Sequence, residues 1–118
     1  MSSPTQRTLN HLRRRGYLAA VVERFNPHVG EHGIRQDLFG FLDLLAIRAD
    51  KPGVLGIQAT SASNAASRVR KIIAIPAARE WLAAGNRCEV WGWRKTFNGR
   101  WKVQRRVITL EDFAESKP

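Results

Sequence analysis

The sequence predicts an α+β domain with elements in the order α-β-β-β-α-β-β, and three features carry that reading. The chain opens on an amphipathic segment bracketed by helix start and stop signals. Apolar runs rich in β-branched and aromatic residues then alternate with Gly- and Pro-containing turns. A helical stretch split by Pro76 separates the third such run from the last two, which face each other across Asn98-Gly99.

Ser2-Ser3-Pro4-Thr5 caps a helix over residues 5–15, with Leu9 and Leu12 three apart on one face. Arg13, Arg14 and Arg15 suit the negative end of its dipole, and Gly16 stops it. Residues 17–25, with Val21-Val22 before Glu23, read as the first strand, and Pro27, Gly30 and Gly33 mark a loop over 26–33. Residues 38–47 form the most apolar run and read as a central strand, despite Asp43 in its middle. A turn at 49–53 returns the chain as a strand over 54–60, the two forming an antiparallel hairpin. Ser61 and Ser63 cap a helix over 64–75, and Pro76 starts a second one ending near Gly85. Residues 87–93 and 101–108 are strands joined by the Asn98-Gly99 turn, followed by a short helical turn at Thr109-Leu110-Glu111-Asp112. Residues 1–118 make a single domain, with 1–4 and 114–118 expected to fray.

Charge narrows the partners. Twenty Lys and Arg against ten Asp and Glu give a net charge of +10, and fifteen of the twenty are Arg. Such an excess repels itself in a compact chain and points to a polyanion, nucleic acid above all. Arginine grips phosphate oxygens with a planar fork of donors where lysine offers a point charge. The single Cys88 excludes an intrachain disulfide and a cysteine-rich metal site, and its apolar surroundings predict a buried, inert thiol. No segment has the length or composition to span a membrane, and no signal-peptide pattern is present. The expected setting is intracellular and cytoplasmic, in a bacterial or phage-infected cell.

Asp43 carries the chemistry. It lies among Phe41, Leu42, Leu44 and Leu45, where an unpaired carboxylate costs several kcal/mol. A metal, a cation or a set of hydrogen bonds must compensate. On a regular strand Asp37, Phe39, Phe41 and Asp43 share one face. Gln58 and Thr60 project together from the next strand, opposite Ile57 and Ala59, and make a polar pocket facing the carboxylate. Arg68 and Lys71, three apart on the following helix, reach toward that pocket or toward passing phosphates. The plain alternatives are a structural Asp43 tied to Arg35 or a backbone amide, an Asp37 paired with Arg35, and a solvated Glu23.

These residues resemble the PD-(D/E)XK nuclease superfamily, in particular its small Holliday-junction-resolvase-like and phage-type members. The resemblance runs through Arg14-Arg15-Gly16-Tyr17, then Gly40-Phe41-Leu42-Asp43-Leu44-Leu45-Ala46-Ile47, then Gly56-Ile57-Gln58-Ala59-Thr60-Ser61 and a basic helix. It covers roughly the first two-thirds of the chain and leaves the Trp-rich hairpin outside. It implies a restriction-endonuclease-like core, a central mixed sheet flanked by helices, and a Mg²⁺- or Mn²⁺-dependent endonuclease that cuts DNA by water attack on the phosphodiester. Branched DNA such as a Holliday junction, in a recombination setting, is the implied substrate, and two cuts imply a homodimer. By position Asp43 is a metal ligand and the Ile57 carbonyl another, Gln58 holds the place of the motif Glu, and Thr60 that of the motif Lys. Gln58 offers only an amide oxygen and Thr60 no charge, so Glu23 or Asp37 is the candidate for the missing carboxylate and Lys71 for the missing cation. The same departures support an alternative, a non-catalytic DNA-binding protein on a degenerate nuclease scaffold.

Trp91 and Trp93 share a strand face and are assigned to packing, with the Trp-bearing hairpin or the face near Phe39 and Phe41 as candidate dimer surfaces. Arg94, Lys95 and Arg100 at the turn are assigned to nucleic acid, beside Arg13, Arg14, Arg15, Arg35, Arg68 and Lys71. Trp81 reads as core. His28 and His32, with Glu31 between them, read as a solvated loop.

Overall fold

The computed structural model describes residues 3–114. Helix α1 (Pro4–Arg14) begins where the Ser3 hydroxyl accepts a hydrogen bond from the Gln6 amide at 3.1 Å. Its buried face is Thr8, Leu9 and Leu12, and the Arg13 guanidinium reaches past its end to the Ala19 carbonyl at 3.1 Å. A five-stranded mixed sheet follows, made of β1 (Leu18–Val21), β4 (Leu44–Ile47), β5 (Leu55–Ser61), β6 (Arg87–Lys95) and β7 (Trp101–Ile108), in the order β1-β4-β5-β6-β7. Among the described strands only the β5–β6 pair is parallel, because a helical crossover separates those two; β4–β5 and β6–β7 are consecutive antiparallel pairs, and β1 meets β4 antiparallel after the 22–43 excursion. The two remaining strands, β2 (Arg24–Asn26) and β3 (Ile34–Gln36), form a separate antiparallel ribbon.

Side-chain alternation gives each sheet face its own core. On one face Leu55, Ile57, Trp91 and Trp93 pack beneath Leu9 and Leu12 of α1, and the Trp93 indole donates to the buried Thr8 hydroxyl at 2.9 Å. On the other face Cys88, Val90 and Ile108 pack against α2 (Ala65–Ile73) and α3 (Pro76–Ala83), through Ile72 and Ala78. Trp81 joins this second core and donates to the Arg87 carbonyl at 2.8 Å. Burial pushes the Cys88 thiol up to about 12, so it is inert at neutral pH. A short α4 (Glu111–Ala114) closes the described chain. Among the described residues no helix is long and apolar enough to cross a membrane.

The α+β class, the mixed sheet and the flanking helices are as expected, and the element order matches in part. The 17–25 run is two strands, and they belong to different sheets: Val22 and Glu23 leave the ladder to donate to the Asp43 carbonyl at 2.8 and 3.3 Å. Strand β3 follows the expected 26–33 loop, in a stretch to which the sequence reading gave no element. The 38–47 run is strand only from Leu44. Before it the chain doubles back, with Leu38 and Leu42 bridged and the turn between them held by Phe39 at φ +56° and Gly40 at φ +86°. Asp37, Phe39, Phe41 and Asp43 therefore do not alternate along one strand face: Phe41 is buried and Phe39 exposed. Ser61 and Ser63 contact each other instead of capping α2, which is entered through a 3₁₀ turn at Ala62–Asn64. Of the expected frayed ends, Ser3 and Pro4 are an ordered cap and first helical residue; residues 1–2 and 115–118 lie outside the described residues. Trp91, Trp93 and Phe41 are core and offer nothing to a dimer surface.

Candidate functional site

The two bends that break the expected strands are what assemble the site. The bend at Val22 sets Glu23 over the start of β4, and the 38–42 turn swings Asp37 toward Asp43. One carboxylate oxygen each from Glu23, Asp37 and Asp43 lies within 4.8 Å of the others, a group that could hold a metal ion. Asp43 is buried, its backbone N–H donates to the Ile57 carbonyl at 2.9 Å, and its carboxylate accepts from the Ala59 amide at 2.9 Å. Burial, a hydrogen bond shared with Asp37, and the charges of Asp37 and Glu23 raise its pKa to about 8, against the lowering effect of the Ala59 amide. A buried acid crowded by two half-buried ones favours a proton, or a cation in its place.

Gln58 stands at the centre of the hydrogen bonding but does not turn an oxygen toward the triad. Its amide nitrogen donates to Asp37 at 3.0 Å and to the Phe41 carbonyl at 2.8 Å, while its oxygen accepts from Arg68 at 3.0 Å. Two acceptors on one side and a guanidinium on the other leave only one amide orientation that satisfies all three. Its place in the geometry is that of a clasp tying Asp37, the 38–42 turn and α2 together. Thr60 is buried on the same sheet face and does not line the cleft. The Ile57 carbonyl, expected to face a metal, is engaged by the Asp43 amide. In a strand a residue's N–H and C=O point the same way, so the Ala59 carbonyl faces the Asp43 side one step further along.

Over the triad opens a cleft of about 810 Å³, walled by Glu23 and Asp37 and by four cations, Arg24, Arg35, Arg68 and Lys71. Arg35 is largely exposed and sits 3.6 Å from Glu23, a pair of little energetic weight. Phe39 forms part of the rim and tilts against Trp81, with ring centroids 6.4 Å apart. The structure thus brings Asp43, Glu23, Asp37, Gln58, Arg35, Arg68 and Lys71 together. It leaves Arg13, Arg14 and Arg15 at the far end of α1, whose N-terminus is the end beside Glu23 and Arg35. Arg94, Lys95 and Arg100 lie on the β6–β7 turn, a separate basic surface. Arg24 was missed in the sequence because a continuous strand there gave no reason to place it on the cleft wall.

The histidines stay apart from this chemistry. His28 and His32 are exposed on the β2–β3 loop. His11 packs edge-on to Trp91 at 5.2 Å, and burial, then Arg15, Arg14 and Arg105, lower its pKa.

No protein-family model, curated protein or solved structure matches this chain. Its function is argued from the cleft itself.

Proposed function

We propose that this protein is a metal-dependent endonuclease of restriction-endonuclease-like architecture, acting on DNA and preferring branched or structured substrates. The observation that carries the reading is a triad of carboxylates, Glu23, Asp37 and the buried Asp43, of which Glu23 and Asp37 line a cleft also walled by arginine and lysine. A carboxylate cluster repels a phosphate unless a cation stands between them, and the four wall cations suit the phosphates on either side. The donor set fits a hard dication, since all three groups offer carboxylate oxygen and none offers nitrogen or sulfur. When bound, Mg²⁺ or Mn²⁺ supplies charge neutralisation at the phosphate and a more acidic water.

The chain's own groups do the rest. Asp37 takes the place that the motif Glu leaves empty, and Gln58 positions it through the 3.0 Å hydrogen bond. Arg68, anchored on the Gln58 oxygen, and Lys71 one turn further along α2 hold the backbone of the scissile strand. Lys71 supplies the positive charge that Thr60 lacks. Cutting both strands of a junction calls for two copies, so a homodimer belongs to the reading.

The test is incubation of labelled four-way junction, plain duplex and RNA with Mg²⁺, Mn²⁺ or chelator. Metal-dependent cutting of junction DNA that disappears in Asp43→Asn, with binding retained, is the expected result. Salt-sensitive binding without cutting under any condition would replace the nuclease with a non-catalytic DNA-binding scaffold, and preference for RNA would overturn the substrate.

A further inference from the structure

The β6–β7 hairpin carries an aromatic ring that the fold leaves wholly in water. Phe97 at its tip is fully exposed, the most exposed large apolar residue described. The turn beneath it is rigid. The Thr96 amide donates to the Arg100 carbonyl at 2.7 Å, the Gly99 amide to the Thr96 carbonyl at 2.9 Å, and the Thr96 hydroxyl also bonds Asn98. Gly99, at φ +87°, accepts the left-handed backbone that the turn requires. The ring is thus presented by a preorganised loop.

Its surroundings name the partner. Arg94, Lys95, Arg100 and Lys102 flank it, none in an ion pair among the described residues, and no acid occurs between Glu89 and Glu111. Trp101, half-exposed beneath the tip, has the Arg7 guanidinium 3.6 Å and the Lys95 ammonium 5.6 Å from its ring centroid. A second copy of this chain would bring like charges together at such a surface, whereas a nucleic-acid strand brings phosphates for the cations and a base for the ring.

Position ties the hairpin to the cleft. Strand β6 runs parallel to β5 with Trp91 beside Ala59, whose amide holds Asp43, so both strands point the same way past the triad. At about 3.3 Å per residue, the four steps from Trp91 to the end of β6 at Lys95 carry the strand roughly 13 Å past the level of Ala59, and the turn bearing Phe97 lies at that end.

We infer that Phe97 is a stacking wedge that engages an unstacked base of DNA, while Arg94, Lys95 and Arg100 hold the phosphates on either side of it. The inference rests on the DNA reading of the basic surface and not on cleavage. It selects DNA with an interrupted stack over continuous duplex, because only the former offers a free base face without the cost of opening a step.

The experiment measures binding in chelator, so that cutting plays no part, with duplex, bulged and four-way-junction DNA carrying 2-aminopurine at the interruption. Phe97→Ala, a fully exposed position whose replacement leaves the fold intact, is expected to weaken bulge and junction binding about tenfold and to abolish the 2-aminopurine quench. Its duplex affinity and salt slope stay at the wild-type values. Phe97→Trp restores the quench. The triple variant R94Q/K95Q/R100Q instead lowers the salt slope, by about 0.9 per cation removed, on every DNA. Equal losses of the Phe97→Ala variant on all DNAs, or none on any, overturn the wedge. So does a change in sedimentation with unchanged DNA binding, which would make Phe97 a self-association contact. Wild-type protein that binds no DNA removes the DNA reading as well. Wild-type binding that meets these expectations with no cutting in Mg²⁺ leaves the wedge standing and removes only the nuclease.

Discussion

Replacing Asp43 by Asn should stabilise the metal-free protein, and the gain should grow with pH. Asp43 holds a pKa of about 8 in the folded chain against 3.8 for an ordinary aspartate. Between those values the folded state keeps a proton that the unfolded chain has released. The unfolded state therefore binds fewer protons, and stability falls as pH rises, by about 1.36 kcal/mol per unit for this one group. Across the window the loss amounts to several kcal/mol, the order of magnitude that a single desolvated acid can carry and a sizeable share of a small domain's stability. Asn reproduces the protonated acid: its oxygen accepts from the Ala59 amide and its nitrogen donates toward Asp37, with nothing to ionise.

The assay is urea unfolding of wild type and D43N in chelator at half-unit steps from pH 4 to 8. Subtracting the two curves cancels His11, whose lowered pKa adds stability as pH rises, and Asp50 and Asp112, whose lowered values matter only in acid. The difference should be near zero at pH 4 and widen with a slope approaching one proton. Mn²⁺ should restore wild-type stability at pH 7–8 and leave D43N unmoved. Parallel curves, or a D43N that is weaker at every pH, would refute the account of Asp43 as a crowded, desolvated acid.

Four further outcomes follow from the same geometry. Binding of Mn²⁺ to the wild type should release close to one proton near pH 7, read by calorimetry in buffers of different ionisation enthalpy; no release would mean that the cation and the Asp43 proton do not compete. Gln58→Glu should destabilise the metal-free protein by about 2 kcal/mol, since it strips the buried Phe41 carbonyl of its donor and sets a fourth acid against Asp37. Tighter Mn²⁺ binding with undiminished stability would make Gln58 a misplaced ligand and not a clasp. Thr8→Val should cost about 1–3 kcal/mol in chemical denaturation by orphaning the Trp93 indole N–H, and a neutral result would mean water reaches that donor. Phe39→Gly should gain about 1 kcal/mol by relieving the φ of +56°, because the side chain is mostly exposed; a loss would show that its contact with Trp81 outweighs the strain.

Much of the scaffold was legible because its signals are local. Leu9 and Leu12 with a serine cap make α1, Pro76 splits the crossover helices, and Asn98-Gly99 folds the last hairpin. Asp43 stood out because a carboxylate in an apolar run demands compensation. What the sequence hid was tertiary in origin. The apolar run before Asp43 has the composition of a strand, and only the pairing of Leu38 with Leu42 converts it to a turn. The run before Glu23 breaks because its amides serve the Asp43 carbonyl and not a neighbouring strand. No periodicity reports either event.

The same two departures from strand regularity explain how acids from three separate segments form one coherent cluster. A continuous strand would place Asp37 six residues from Asp43, about 20 Å away along the chain direction. The turn through Phe39 and Gly40 removes that distance and delivers Asp37 to Gln58, which can clasp it because an amide donates where a Glu could not. Gln58 and Asp37 therefore form one unit: the neutral residue on β5 is what permits the carboxylate to arrive from another loop. A chain with Glu at position 58 would repel Asp37, and a chain with Gln58 but no Asp37 would leave Glu23 and Asp43 as the only acids at the triad. The strained Phe39 and the clasp are parts of one arrangement, so the Phe39→Gly and Gln58→Glu effects should couple when combined, by more than the few tenths of a kcal/mol expected of independent sites.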